Sequence, residues 1–127
     1  MKFKIKMTKK EPFIINRIKS LGFALKGALL LLKNEASIQA QASIAVLVTF
    51  AGFYFEISAT EWMIQLLAIA IVLSAEALNS AIEEIADFIH PEYHKKIGYT
   101  KDVAAGAVFF AGIAGVIIAA IIYIPKF

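Results

Sequence analysis

Three long runs of uncharged, mostly apolar residues dominate the chain and are separated by short polar stretches. Residues 36–55 form the first run, residues 62–75 begin the second, and residues 103–124 form a third run of 22 residues without a charge. A helix of that last length extends about 33 Å, which is enough to cross the hydrocarbon core of a bilayer. The pattern therefore predicts three transmembrane helices, at about 36–55, 62–85 and 103–124.

A further helix is predicted ahead of the first span, at about residues 13–33. Its apolar residues recur at helical spacing, and three lysines seven residues apart follow another line of the same helix: Lys19, Lys26 and Lys33. This pattern favours an amphipathic helix that lies on the membrane surface. The alternative is an ordinary cytoplasmic helix packed on the spans. Residues 1–11 are polar and rich in lysine, and we expect them to fray.

The composition agrees with a membrane protein and excludes several other classes. The chain has 127 residues, of which 60% are hydrophobic and 18% charged, whereas soluble domains average about 45–50% apolar and about 25% charged. This difference excludes a disordered chain, a nucleic-acid-binding tail and an ordinary soluble enzyme. Cysteine is absent, which excludes disulfides and thiolate catalysis. We expect one all-α membrane domain over residues 1–127, without a cleaved signal peptide.

The distribution of basic residues predicts the orientation of the spans. Of the 13 lysines and arginines, 12 precede the first span or lie in the loop before the third, and the loop at residues 56–61 has none. Basic residues favour the cytoplasmic side of a membrane. The N-terminus is therefore predicted to be cytoplasmic and the C-terminus extracytoplasmic, in a multi-pass protein of the inner (plasma) membrane. We expect the net charge of +3 to face lipid headgroups and not nucleic acid.

The second span carries polar side chains that its apolar surroundings do not explain. Glu76, Asn79, Ser80, Glu83 and Asp87 fall within roughly 100° of one another on a helix, so they form one polar stripe. An ionised group at the bilayer centre costs roughly 2.5–3.5 kcal/mol and less near the edge. A divalent cation such as Mg²⁺, which takes carboxylate and phosphate oxygens, would stabilise the stripe. The alternative is a helix that has already left the membrane and displays solvated charges.

Two other polar groups lie on the same predicted side of the membrane. Glu35, between the surface helix and the first span, is either a boundary residue at the headgroups or a ligand that approaches the stripe. In the loop after the second span, His90 and His94 have the spacing of a helical metal pair, but Pro91 disfavours a helix through His90. Lys101, at the start of the third span, suits a contact with either a lipid or a nucleotide phosphate.

The stripe also matches the signature E-x-x-N-[ST]-A-I-E-x-x-x-D, which begins at Glu76. The chain thereby resembles the small prokaryotic diacylglycerol kinase family, which includes the undecaprenol kinases. The resemblance extends to Asn34-Glu35, to Glu92-Tyr93-His94 and to the segment that begins at Lys101, and it covers about residues 13–124. It implies a homotrimer of three-span subunits with a surface helix, each transferring the γ-phosphoryl group of Mg-ATP to a lipid hydroxyl.

The resemblance also implies a role for individual residues. By position, Glu76 is the general base that binds the acceptor hydroxyl, and Asn79 is an active-site residue beside it. Glu35 and Glu83 are Mg²⁺ ligands that also contact the nucleotide, and Lys26 belongs to the lipid-binding surface helix. The remaining expected nucleotide contacts are Arg17, Glu92, Tyr93, His94, Lys101 and Asp102.

The sequence therefore predicts an integral-membrane lipid kinase whose partners are ATP, a membrane lipid and further copies of itself. The acceptor is diacylglycerol or undecaprenol. The alternative function is a small channel or transporter subunit whose carboxylate stripe lines an ion path. Such a path would have to continue to the outer side, but residues 62–75 carry only Gln65 and Ser74 as polar side chains.

Overall fold

The computed structural model describes residues 11–127, so the predicted frayed segment lies almost entirely outside the described residues. The described chain is helical: α1 spans Phe13–Asn34, α2 Ala36–Tyr54, α3 Ala59–Ile89 and α4 Lys95–Tyr123. A turn of 3₁₀ helix follows at Ile124–Lys126. By length and composition, α2, α3 and the segment Lys95–Lys126 are each apolar enough to cross a membrane. The prediction of an all-α protein with three membrane-spanning helices is confirmed.

Helix α1 covers the predicted surface helix, but it contributes no buried residue to the fold. Its large apolar side chains, among them Ile18, Leu21 and Leu25, are exposed along with its lysines. A helix with this much uncovered apolar surface needs a partner such as a bilayer, because water solvates such surface poorly. Its position on a membrane surface stays a prediction.

Helices α3 and α4 both extend beyond the spans predicted for them. Ser58 and Glu61 form a capping box, with Ser58 N donating to Glu61 Oε1 at 2.9 Å, so α3 begins at Ala59 and not at Trp62. Helix α4 begins eight residues before Val103, because the His94 side chain accepts a hydrogen bond from the Lys96 amide and caps the helix. An apolar run in the sequence predicts only the apolar part of a helix. The polar capping residues lie outside these runs, so the predicted spans begin too late.

The three candidate membrane-spanning helices, α2, α3 and α4, are joined by a buried glutamine near the end of α3 that begins at Ala59. Gln65 of α3 is 4% exposed; its Nε2 donates to the Val48 carbonyl of α2 at 3.1 Å, and its Oε1 accepts from Tyr123 Oη of α4 at 2.6 Å. Tyr123 Oη also lies 3.1 Å from the Val48 carbonyl. This network satisfies a polar side chain inside an apolar bundle and fixes the relative positions of α2, α3 and α4.

Candidate active site

The polar stripe of α3 runs from the interior of the bundle to its surface. Glu76 is 6% exposed and Ser80 5%, whereas Asn79 is half-buried and both Glu83 and Asp87 are exposed. The alternative of a merely solvated stripe therefore fits Glu83 and Asp87 but not Glu76. A carboxylate at such a position needs a polar partner, because an uncompensated charge is costly in an apolar environment.

The partner of Glu76 comes from α2 and was missed in the sequence. Gln41 directs its side-chain amide at Glu76, with 3.5 Å between Nε2 and Glu76 Oε2. This distance is long for a hydrogen bond, so the contact places a polar amide beside the carboxylate without neutralising its charge. The only hint in the sequence was a polar amide side chain within a run of uncharged, mostly apolar residues.

Glu35 reaches the stripe from the junction between α1 and α2. It is the single non-helical residue between the two helices, with φ −107° and ψ 115°. Its Oε1 accepts a hydrogen bond from Ser80 Oγ at 3.4 Å. Glu35, from the α1–α2 junction, and Glu76 of α3 therefore both lie on the face of α3 that carries Ser80. The role of Glu35 as a metal ligand stays a prediction.

An open cleft of about 490 Å³ lies beside Glu35, between α1 and α3. Its walls are built mainly from small residues, which keep the two helices from filling the space between them. Ala24, Gly27 and Ala28 line it from α1, and Ala77 and Ala81 from α3. Glu35, Ser80 and Glu84 supply its polar lining. The cleft has room for a small polar group next to Glu35 and Ser80.

The carboxylates of the candidate site suit a hard cation whose remaining ligands come from a bound phosphate and water. Among residues 11–127, no three histidine or carboxylate side chains come close enough together to hold a metal ion alone. Mg²⁺ commonly takes one or two carboxylates and completes its shell with phosphate oxygens and water. One further oxygen is available, because Asn79 Oδ1 is buried without a hydrogen-bond partner while its Nδ2 lies 3.4 Å from Glu83 Oε2.

The predicted nucleotide contacts on the loop and on α4 lie close in the chain but have different surroundings. Lys101 Nζ forms an ion pair with Asp87 Oδ1 at 2.5 Å, which ties the start of α4 to the end of α3. Asp102 and Glu92 are exposed, and Tyr93 is 84% exposed. His94 caps α4, so its Nδ1 is engaged as an acceptor while its ring stays at the surface.

The two predicted contacts on α1, Arg17 and Lys26, make no described interaction with Glu35 or Glu76. Arg17 bonds within its own helix, to Asn16 Oδ1 at 2.8 Å and to Ser20 Oγ at 3.2 Å. Lys26 lines a shallow groove along α1 itself, together with Gly22 and Lys33. Both cations are exposed. Their side chains are long enough to reach a bound anion only if that anion lies over α1.

A second cavity, of about 260 Å³, lies among α2, α3 and α4 and is lined almost entirely by apolar side chains. Gln41, the partner of Glu76, and Gln65 supply its polar atoms. Since Gln65 is already bonded to Tyr123 and Val48, it offers little to a passing ion. The continuous polar path that a channel requires is not formed by these residues.

Comparison with known proteins identifies the family. The family described as prokaryotic diacylglycerol kinase matches residues 22–123. The chain is 38% identical over 113 residues to an undecaprenol kinase of Bacillus subtilis, which covers 88% of this chain and 92% of the relative. It is 32% identical over 100 residues to a diacylglycerol kinase of Escherichia coli K12, covering 79% of this chain and 82% of that protein. The chain therefore belongs to the prokaryotic diacylglycerol kinase family of membrane lipid kinases.

Proposed function

We propose that this chain transfers the γ-phosphoryl group of Mg-ATP to the hydroxyl of a membrane lipid, with Glu76 as the general base. The observation that carries the proposal is that Glu35, from the α1–α2 junction, reaches the face of α3 that carries buried Glu76. In this reaction the lipid oxygen bonds to the γ-phosphorus as its proton passes to Glu76, and the bond to ADP breaks. Phosphoryl transfer depends mainly on such positioning and on charge stabilisation.

Glu35 and Glu83 are the proposed Mg²⁺ ligands, with Asn79 Oδ1 as a nearby oxygen for the cation or the acceptor hydroxyl. The unpartnered Asn79 oxygen supports this assignment, since buried acceptors are normally satisfied. When bound, Mg²⁺ would neutralise charge on the β- and γ-phosphates. The two glutamates, one at the α1–α2 junction and one on α3, would then hold the nucleotide against the membrane face of the protein.

The proposed nucleotide contacts lie around the joined ends of α3 and α4, except for Arg17, which is on α1. Lys101, held by Asp87, would provide a cation for a phosphate oxygen. The other proposed contacts are Arg17, Glu92, Tyr93, His94 and Asp102. Lys26 would contact the lipid headgroup, in keeping with an α1 that lies on the membrane surface with its exposed apolar side chains in the lipid.

For the acceptor we favour a polyprenol alcohol of the undecaprenol type over diacylglycerol. The relative named undecaprenol kinase shares 38% identity with the chain over a longer segment than the 32% shared with the diacylglycerol kinase of Escherichia coli. Both alcohols present one hydroxyl at the headgroup boundary. The same γ-phosphoryl transfer therefore serves either acceptor.

We further propose a homotrimer in the inner membrane, with a cytoplasmic N-terminus and an extracytoplasmic C-terminus. Within each candidate span, 22% or less of the most apolar window is buried in one chain, so the helices retain ample surface for other copies and for lipid. The position of 12 of the 13 basic residues supports the orientation. Native mass spectrometry from detergent tests the oligomer, and a purely monomeric species would contradict it.

The function is tested by ³²P transfer from [γ-³²P]ATP in detergent micelles, with undecaprenol and diacylglycerol supplied separately. We expect label in the lipid phase, more with undecaprenol, and its loss by a factor of roughly 10²–10⁴ in Glu76→Gln, the range for a general base. Glu56→Gln removes the same charge from an exposed residue of the loop before α3 and should stay active. Equal labelling by Glu76→Gln and the parent would exclude the base assignment, and no label in either lipid would exclude the kinase proposal.

The metal assignment has its own measurement. Glu83→Gln should raise the Mg²⁺ concentration for half-maximal transfer by roughly 10-fold or more, since a ligand is lost from a set of only two proposed carboxylates. Glu56→Gln, in the loop before α3, serves again as the control that removes a carboxylate away from the site. An Mg²⁺ titration of Glu83→Gln that superimposes on that of the parent would contradict a ligand role for Glu83.

A further inference from the structure

The junction between α1 and α2 consists of one residue. Glu35 closes α1, with its amide donating to the Leu31 carbonyl at 3.0 Å, and its own carbonyl accepts from the Gln39 amide at 3.0 Å in the first turn of α2. Its extended backbone sets the direction in which the Glu35 side chain leaves the chain. A small rotation at this residue would therefore move its carboxylate relative to Ser80.

The Gln39 side chain closes this junction from the α2 side. Its Nε2 donates to the Leu32 carbonyl at 3.0 Å and to the Lys33 carbonyl at 3.1 Å. These carbonyls belong to the last turn of α1, where a helix has no amides of its own to offer. One amide group thus uses both of its N–H bonds to join the end of α1 to the start of α2.

Packing from the α1 side does little to fix this junction, although Ile38 of α2 is buried close by in the chain. Helix α1 contributes no buried residue, and on its α3 side lies the open cleft of about 490 Å³. The Ser80–Glu35 contact, at 3.4 Å, is too long to hold a helix in place. The double hydrogen bond of Gln39 is both shorter and better placed to set the angle between α1 and α2.

We propose that Gln39 is a positioning residue for phosphoryl transfer, which holds the Glu35 carboxylate in place by clamping the last turn of α1. The proposal rests on the proposed role of Glu35 as a Mg²⁺ ligand. Gln39 itself touches neither the nucleotide nor the lipid. Removing the Gln39 side chain would loosen the α1–α2 junction and thereby impair the binding of Mg²⁺ by Glu35.

Three variants separate this role from a general effect on folding. Gln39→Leu keeps the size of the side chain and removes both N–H donors. Gln39→Lys returns donors, and a cation is favourable beside the last carbonyls of a helix, so it should restore function. Ser43→Ala is the matched control, because Ser43 bonds to the Gln39 carbonyl within the same exposed stretch of α2 but does not reach α1.

The first measurement is the Mg²⁺ concentration for half-maximal ³²P transfer. We expect Gln39→Leu to raise it roughly 10-fold, as loss of a group that orients a metal ligand does. Gln39→Lys and Ser43→Ala should stay near the parent value. A Gln39→Leu titration that coincides with the parent's would overturn the proposal.

A double-variant cycle shows whether Gln39 acts through Glu35. Glu35→Asp shortens the ligand but keeps a carboxylate, and we expect Gln39→Leu to add little in that background. If Gln39→Leu has its full effect beside Glu35→Asp, the positioning role is wrong while the proposed kinase function stands. If Glu35→Asp leaves the Mg²⁺ dependence unchanged, the ligand role of Glu35 fails and this inference fails with it.

Hydrogen exchange followed by mass spectrometry reports on the junction without any turnover. Deuterium uptake over residues 31–38 should rise in Gln39→Leu, return toward the parent in Gln39→Lys and stay unchanged in Ser43→Ala. Unchanged uptake in Gln39→Leu would show that the side-chain amide does not hold the junction. The proposal would then be overturned even if the activity had fallen.

Discussion

At the scale of single residues, Asn79 has a polar side chain whose hydrogen-bonding groups are only partly satisfied by the surrounding structure. Its oxygen is buried without a partner, while its amide nitrogen points to Glu83. A leucine at this position would be similar in size and would not leave an acceptor unsatisfied. A residue retained at some cost in stability is typical of a functional site.

The substitution Asn79→Leu therefore tests whether that oxygen serves the reaction. We expect a free energy of unfolding that is equal to the parent's or higher by about 1 kcal/mol, because the desolvated acceptor is gone. Lipid phosphorylation should fall at the same time. Thermal unfolding in detergent and ³²P transfer measure the two effects on one preparation. Full activity with unchanged stability would mean that the Asn79 oxygen has no part in catalysis.

At the scale of helices, the apolar pattern predicts the elements well and their polar ends poorly. Helix α1 and the predicted helix at 13–33 agree almost to the residue, because the lead-in Pro12 and the break at Glu35 are local signals. The start of α4 at Lys95 is missed, because its first two turns carry polar residues that an apolar run cannot reveal. Only the cap by His94 marks that end, and such caps depend on side-chain geometry.

The hairpin of α2 and α3 depends on a glycine that contacts an aromatic side chain. A methyl group on Gly52 would lie 2.7 Å from two ring atoms of Trp62 and 3.1 Å from Ile57 Cδ1. We expect Gly52→Ala to lower the free energy of unfolding by about 1–3 kcal/mol, the usual cost of overpacking. Gly106→Ala is the control, since nothing lies within 4 Å of its added methyl group. Equal melting temperatures for the two variants would contradict this account.

At the scale of the whole molecule, the sequence indicates which side chains form the site but not how they are held. Glu35 and Glu76 stand out because carboxylates are few in so apolar a chain. That Glu35 lies beside Ser80, 45 residues further along, depends on the angle between α1 and α2. Gln39 bonds to the last carbonyls of α1, and Gln41 lies 3.5 Å from Glu76 Oε2. A neutral amide within an uncharged run is only a weak sequence signal, so both contacts require the structure.

The orientation of the whole chain can be tested because it contains no cysteine, so one introduced thiol reports on one position. Three spans place the two termini on opposite sides, and the exposed residues Lys96 and Phe127 lie at opposite ends of α4 and its 3₁₀ extension. In intact cells, a membrane-impermeant maleimide should label Phe127→Cys, and Lys96→Cys only after lysis. Because ATP is cytoplasmic, labelling of Lys96→Cys in intact cells would put Lys101 and Asp87 on the side without nucleotide and so contradict the proposed site.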